Sequence, residues 1–184
     1  WISYLPQNEG DLETALASVS EYATFINSQS GGTSTNYSGG YGWYGGLTEL
    51  DPTEMYLLEM AAPATLTITG VPVNVGSTSI DLIAGWNWIS YLPQNAGGLN
   101  EALVSVSETA TFIQSQSSGT STNYGENGWY GGLTTLEPGL GYLLEMSTAG
   151  TLVYPEFDGL ARIADNKQEV QLTSTISDWD FNYA

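Results

Sequence analysis

The sequence predicts an α+β fold: two tandem homologous modules, each a small, mostly antiparallel sheet with one helix, then a C-terminal β segment. Three observations predict it. The first is a repeat. Trp1-Ile-Ser-Tyr-Leu-Pro-Gln-Asn8 returns letter for letter as Trp88–Asn95, and residues 1–66 align with 88–152 at 45 identical positions. The offset is 87, and it becomes 86 where one residue drops out ahead of Trp129. Self-similarity of this length marks one structural unit present twice. The second is a helical spacing of apolar residues that occurs once per copy. The third is a set of short aromatic and β-branched runs bounded by Gly, Pro and Asn, which read as strands. The predicted units are module 1 at 1–70, module 2 at 71–155 and a C-terminal strand or tail at 156–184.

Each copy opens on an apolar-aromatic strand, Trp1–Leu5 or Trp86–Leu92. Pro6 and Pro93 end it, because proline has no N–H for a ladder. Asn8 and Asn95 then stand where helix N-caps are expected. Leu12, Ala15, Leu16 and Val19 fall at i, i+3, i+4 and i+7, one face of a helix, and Leu99, Ala102, Leu103 and Val106 repeat it. A second strand follows at 22–28 and 109–115. Gly-rich polar stretches at 30–42 and 117–128 lead into the shared Gly-Trp-Tyr-Gly-Gly-Leu-Thr at 42–48 and 128–134. Glycines inside such a strand predict a bulge or a close backbone approach. Pro138-Gly139 predicts a type II turn, whereas Asp51-Pro-Thr-Glu54 in copy one predicts another geometry. Return strands at 56–60 and 142–146 and last strands at 64–69 and 150–154 complete each unit. Between the copies, 71–87 reads as a hairpin that gives module 2 an upstream strand without a counterpart in module 1.

Composition closes off several chemistries. Twenty carboxylates face two cations, Arg162 and Lys167, and the formal net charge is −18. No Lys or Arg occurs in residues 1–161. Nucleic-acid binding by phosphate neutralisation and attraction to an anionic membrane surface both need cations and are excluded. The absence of Cys removes disulfides, thiolate metal sites and cysteine nucleophiles. The absence of His removes the usual general base and transition-metal ligand. No apolar run approaches the length of a membrane-spanning helix. With no initiator Met and no signal peptide, the chain reads as an excised or processed piece. Strong acidity with few charges suits an extracellular or cell-surface protein. With so few partner charges, salt or mild acid is expected to stabilise the fold.

The runs Gly-Trp-Asn-Trp-Ile-Ser (85–90), Phe-Ile-Gln-Ser-Gln (112–116), Gly-Trp-Tyr-Gly-Gly-Leu-Thr-Thr-Leu-Glu-Pro-Gly-Leu-Gly-Tyr-Leu-Leu (128–144) and Thr-Leu-Val-Tyr-Pro (151–155) carry a resemblance. Residues 71–155, and 1–70 as a degenerate first copy, resemble a tandem repeat module of large secreted and cell-surface proteins of marine and Bacteroidetes-type bacteria. The resemblance implies an extracellular, multidomain setting and supplies no catalytic residues. It departs from the family pattern where Asn27 or Gln114, and Glu59 or Glu145, stand in place of the family's usual Lys.

The aromatic residues are the first candidate site. Tyr37, Tyr41, Trp43 and Tyr44, with Tyr124, Trp129 and Tyr130, flank glycine-rich turns. If exposed, they would form a stacking platform for sugar rings, with carboxylates accepting hydroxyl hydrogen bonds. The competing expectation places Trp43 and Trp129 in the core, where burying each is worth roughly 1.5–3 kcal/mol or more. Paired carboxylates, Glu59 with Glu145 and Glu21 with Glu108, raise a glycosidase, which needs neither His nor Cys. A catalytic pair in each of two small modules is the weaker expectation, so the chain reads as a non-enzyme. Asp178, Asp180 and Asn182 place oxygen ligands at alternate positions, as a calcium loop does, without its glycine and distal Glu. Calcium is the one cofactor suggested. The function expected is a structural or adhesive extracellular repeat, a subunit of a surface fibre joined by strand or edge complementation, with carbohydrate binding as the alternative. The expected partners are further copies, neighbouring domains of the same protein, or polysaccharide; nucleic acid and direct membrane insertion are excluded.

Overall fold

The computed structural model describes residues 1–37 and 40–156, and the backbone of 172–176. Among the described residues the fold is predominantly β, with 47% in strands and 13% helical. This corrects the expected α+β class. The residues with helical spacing do turn toward the core, but as one α turn followed by a 3-10 turn: Leu12–Ala15 with Ala17–Val19, and Leu99–Ala102 with Val104–Val106. Leu16 (φ −100°, ψ 9°) and Leu103 (φ −103°, ψ 19°) interrupt the α geometry. Two successive turns of different pitch still bury Leu12, Leu16 and Val19, so the apolar spacing is satisfied without a helix of useful length. The helix starts also differ from expectation. Asp11, not Asn8, caps the first by accepting from Thr14 N–H, and Gly98 occupies that place in the second. The Thr14 N–H and hydroxyl together hold the Asp11 carboxyl below its ordinary range.

Each module builds a five-stranded antiparallel sheet with the same order. In module 1 the strands run Ile2–Ser3, Met55–Met60, Ala23–Ser28, Thr33–Tyr37, Gly42–Gly45 across the sheet. In module 2 they run Gly85–Ser90, Gly141–Met146, Ala110–Gln114, Thr120–Asn123, Trp129–Gly131. One face of each sheet packs on its short helical turns. Ile26, Leu50, Tyr56 and Leu58 lie in the module 1 core, and Ile113, Leu136, Tyr142 and Leu144 in that of module 2. Gly45 and Gly131 are the close approaches the glycines suggested: a Cβ there would fall 2.1 Å from Thr33 O and 2.2 Å from Thr120 O. Gly139 has φ 79°, as the second central residue of a type II turn requires.

The expected hairpin at 71–87 does not form. Residues 71–73 instead run beside the first strand of module 1, with Gln7 N–H donating to Val71 O and Val73 N–H to Leu5 O. The Ser79–Leu82 strand pairs with Gly150–Val153, the last strand of its own module. The corresponding last strand of module 1, Ala64–Ile68, pairs with Leu172–Ile176.

The modules meet about a pseudo-two-fold axis. Ile2 bridges Leu140 and its repeat counterpart Ile89 bridges Glu54, the counterpart of Leu140. Gln29 of module 1 donates to Trp86 O (2.8 Å) and accepts from Trp88 N–H (2.7 Å), while its counterpart Gln116 accepts from Trp1 N. Met55 and Gly141 are also counterparts, and a Cβ on Gly141 would lie 2.0 Å from Met55 Cγ. One methionine side chain therefore fills space that two symmetric side chains cannot share. Among the described residues no helix is long and apolar enough to cross a membrane.

Candidate functional site

Strand register places Tyr37 and Tyr44 on the open surface of the module 1 sheet and Tyr130 on that of module 2. Residues directly opposite on neighbouring strands point to the same face. In module 2, Trp86 lies opposite Glu145, Glu145 opposite Phe112, Phe112 opposite Thr122, and Thr122 opposite Tyr130. One residue per strand thus makes a transverse row, Trp86–Glu145–Phe112–Thr122–Tyr130. Its neighbours along the strands, Ile113, Leu144, Ser121 and Trp129, point into the core, so the row lies on the open face. Module 1 carries the row Glu59–Phe25–Thr35–Tyr44, identical in type to the last four members of module 2.

The rings in and beside these rows are wet. Tyr37, Tyr41, Tyr44, Tyr124 and Tyr130 are between 55% and 72% exposed, and Trp86 is 44% exposed. Tyr37 and Tyr44 meet edge to face at 5.8 Å and 75°, and their counterparts Tyr124 and Tyr130 at 6.0 Å and 71°. Trp86 and Phe112 meet in the same manner across Glu145, at 5.9 Å and 83°. An edge-to-face pair fixes both rings while covering at most one face of either. The strands that carry Phe112 and Tyr130 are two apart in the sheet, about 9.5 Å between their backbones at ordinary inter-strand spacing. Polar groups fill the gaps between rings. The Thr111 hydroxyl donates to Glu145 Oε2 at 3.3 Å and anchors that carboxylate. Glu59, its counterpart, is exposed.

The two tryptophans belong elsewhere. Trp129 is a core residue, 9% exposed, and Trp43 is half-buried against the module 1 core. Their main-chain N–H groups, on the edge strands of the two sheets, are taken by side chains from the helical turns: Trp43 N–H by Glu13 Oε2 (3.1 Å) and Trp129 N–H by Asn100 Oδ1 (2.9 Å). That blunts each outer edge against further pairing at this point. The structure therefore brings the tyrosines together as surface pairs and withdraws the tryptophans. Phe25, Phe112, Trp86, Glu59 and Glu145 join the tyrosines in the rows. Sequence patterning did not point to Trp86 and Phe112. Alternation in Trp86-Asn87-Trp88 would turn the polar Asn87 outward, yet Asn87 is buried, its side chain bonded to main-chain groups of Ile83 and Gly85. Nothing local chooses between the adjacent Phe112 and Ile113.

Glu21 and Glu108 are exposed ends of the helical turns and stand outside these rows. Asp178, Asp180 and Asn182 lie outside the described residues. Among the described residues no group of three or more Asp or Glu is placed to hold a metal ion. Comparison with known protein families, curated proteins and solved structures finds no match for this chain.

Proposed function

We propose that this chain is a non-enzymatic adhesive repeat protein of the bacterial cell exterior, holding polysaccharide on the open faces of its two sheets. The observation that carries the reading is the repeated row Glu–Phe–Thr–Tyr, present in both modules on the solvent face and extended by Trp86 in module 2. Alternation of rings with hydrogen-bonding side chains matches a sugar chain, whose C–H faces stack on aromatic rings and whose hydroxyls pair with carboxylate and hydroxyl groups. Thr122 and Glu145 flank Phe112 in this way, as Thr35 and Glu59 flank Phe25. A net charge of −18 repels acidic polymers, so the fitting ligand is a neutral polysaccharide. Two equivalent rows on one chain favour a polymer over a monosaccharide, since a second engagement is effectively intramolecular.

Affinity electrophoresis through gels containing neutral polysaccharides tests this. The wild-type chain is expected to be retarded by at least one of them. Tyr130→Ala should weaken retention about 3- to 10-fold, in keeping with roughly 0.5–1.5 kcal/mol for one aromatic contact. Tyr44→Ala with Tyr130→Ala should abolish it. Wild-type migration unchanged across the panel, or retention indifferent to both substitutions, rejects the reading.

A further inference from the structure

The last strand of module 1 has one edge facing its own module and one edge facing Leu172–Ile176. On its own side Ser18 takes both main-chain groups of Thr67: its hydroxyl accepts from Thr67 N–H at 2.9 Å and donates to Thr67 O at 3.3 Å. The N–H and C=O of one strand residue point to the same edge, and successive residues alternate. Thr65 and Thr67 therefore face Ser18, while Ala64, Leu66 and Ile68 face the strand 172–176. The register sets Leu66 opposite Ser174 and Ala64 opposite Ile176. Module 2 repeats the arrangement. Ser105, the counterpart of Ser18, accepts from Val153 N–H at 3.0 Å, and Leu152 and Gly150 lie opposite Ile80 and Leu82. Through the repeat offset, Ser174 stands in the place of Ile80 and Ile176 in the place of Leu82.

The two strand positions are equivalent, but their covalent routes differ. Ser79–Leu82 runs, after residues 83 and 84, directly into Gly85–Ser90 of the same module's sheet. It cannot leave its place without dismantling that sheet. Leu172–Ile176 reaches module 1 from beyond module 2, with residues 154–171 between it and the strand ending at Val153. We infer that module 1 is closed by an exchangeable strand, and that the 172–176 segment of a second copy of this chain occupies the Ala64–Ile68 edge in the same register. The pairing is chemically the same within one chain or between two, so only concentration and the reach of the connection set the balance. Reciprocal exchange gives a closed dimer; one-way exchange continues from copy to copy as an open filament. This inference does not rest on polysaccharide binding and uses none of the aromatic rows.

The chain has no cysteine, so introduced thiols report only on themselves. Thr67 and Thr173 are directly opposite. The alternation above makes them a non-hydrogen-bonded pair, with Cα atoms about 4.5 Å apart, inside the roughly 4.4–6.8 Å that a disulfide spans. The experiment mixes full-length Thr67→Cys protein with a larger-tagged Thr173→Cys protein, oxidises the mixture over a range of concentrations and resolves the products without reductant. A disulfide-linked heterodimer is expected, with a yield that rises with concentration. Ser174→Pro in the donor chain removes an N–H aimed at Leu66 and should lower that yield at least tenfold. A single chain carrying both Thr67→Cys and Thr173→Cys should close on itself at low concentration. If it closes while the mixed chains give no heterodimer above the background of each alone, the strand is not exchanged and the inference fails. If the double variant does not close either, the pairing itself is wrong and the inference fails with it.

Discussion

Modules 1 and 2 share 45 of their aligned letters, yet the chain finishes them differently. Their sheets have the same strand order, their tryptophan edges are capped from the same helical position, and their open faces carry the same row. The differences gather where the modules touch and where each takes its outermost strand. At the axis, Met55 in one faces Gly141 in the other. In the first strands, Ser3 Oγ donates to Leu140 O at 2.6 Å and accepts from Tyr91 N–H at 3.1 Å, whereas the hydroxyl of its counterpart Ser90 is buried without a hydrogen-bond partner. A repeat can copy a fold, but two copies packed about one axis cannot occupy the same points on it. The duplicated module is therefore symmetric at its surface and asymmetric at its junction.

The sharpest way to break this comparison is to impose the symmetry that the junction refuses. Gly141→Met places a second side chain where a Cβ already meets Met55 Cγ at 2.0 Å. The expected loss is about 3 kcal/mol or more, the upper range for overpacking, read from urea denaturation. Exchanging the pair, Met55→Gly with Gly141→Met, should recover most of it. Failure of the exchange to recover stability would mean that the two positions are not equivalent about the axis.

Alkaline titration probes the two cores next. Burial pushes the Tyr142 hydroxyl up to about 12 and raises Tyr56, Tyr91 and Tyr154 as well. A raised folded-state value favours the neutral phenol, so the unfolded chain ionises first. The stability is fully present below about pH 10, the ordinary value, and is lost as pH rises from 10 toward 12 for Tyr142. Module 2 buries Tyr91, Tyr142 and Tyr154, where module 1 buries Tyr4 and Tyr56 and has Ile68 at the place of Tyr154. Tyr154→Phe should therefore flatten the alkaline loss of stability, with urea midpoints between pH 9 and 12 as the measurement. An unchanged slope would remove Tyr154 from the account.

The smallest effect separates the two serines. Ser3→Ala takes away one donor and one acceptor at the junction and should cost about 1–2 kcal/mol. Ser90→Ala removes a hydroxyl with no partner and should be neutral or slightly stabilising. Equal costs would show that Ser90 Oγ is hydrogen-bonded in solution.

Much of this was legible in the letters. The Pro138-Gly139 turn and the close approaches at Gly45 and Gly131 follow from residue types at particular positions. The expected helix does not form as one unit because Leu12, Ala15, Leu16 and Val19 bury equally well from an α turn joined to a 3-10 turn, and apolar spacing alone does not separate the two. Its caps moved with it, from Asn8 and Asn95 to Asp11 and Gly98. The 71–87 hairpin failed because residues 71–73 pair with 5–7 across the module boundary, a contact that no local pattern announces. The candidate site was half visible. The tyrosines stood out beside their glycines, but Phe25, Phe112 and the two glutamates became its members only through strand register.

By itself, then, the sequence determined the unit, its duplication and the turns that bound its strands. These are local matters of turn residues and apolar bulk. The tertiary structure decided which strands lie side by side, and with that the aromatic rows, the Met55–Gly141 junction and the strand that closes module 1. Strand pairing is made by main-chain groups that every residue except proline carries alike. A strand's own letters say that it will pair; only the assembled sheets choose its neighbour and, in strands such as Trp129–Gly131 with aromatic residues on both faces, the face it buries.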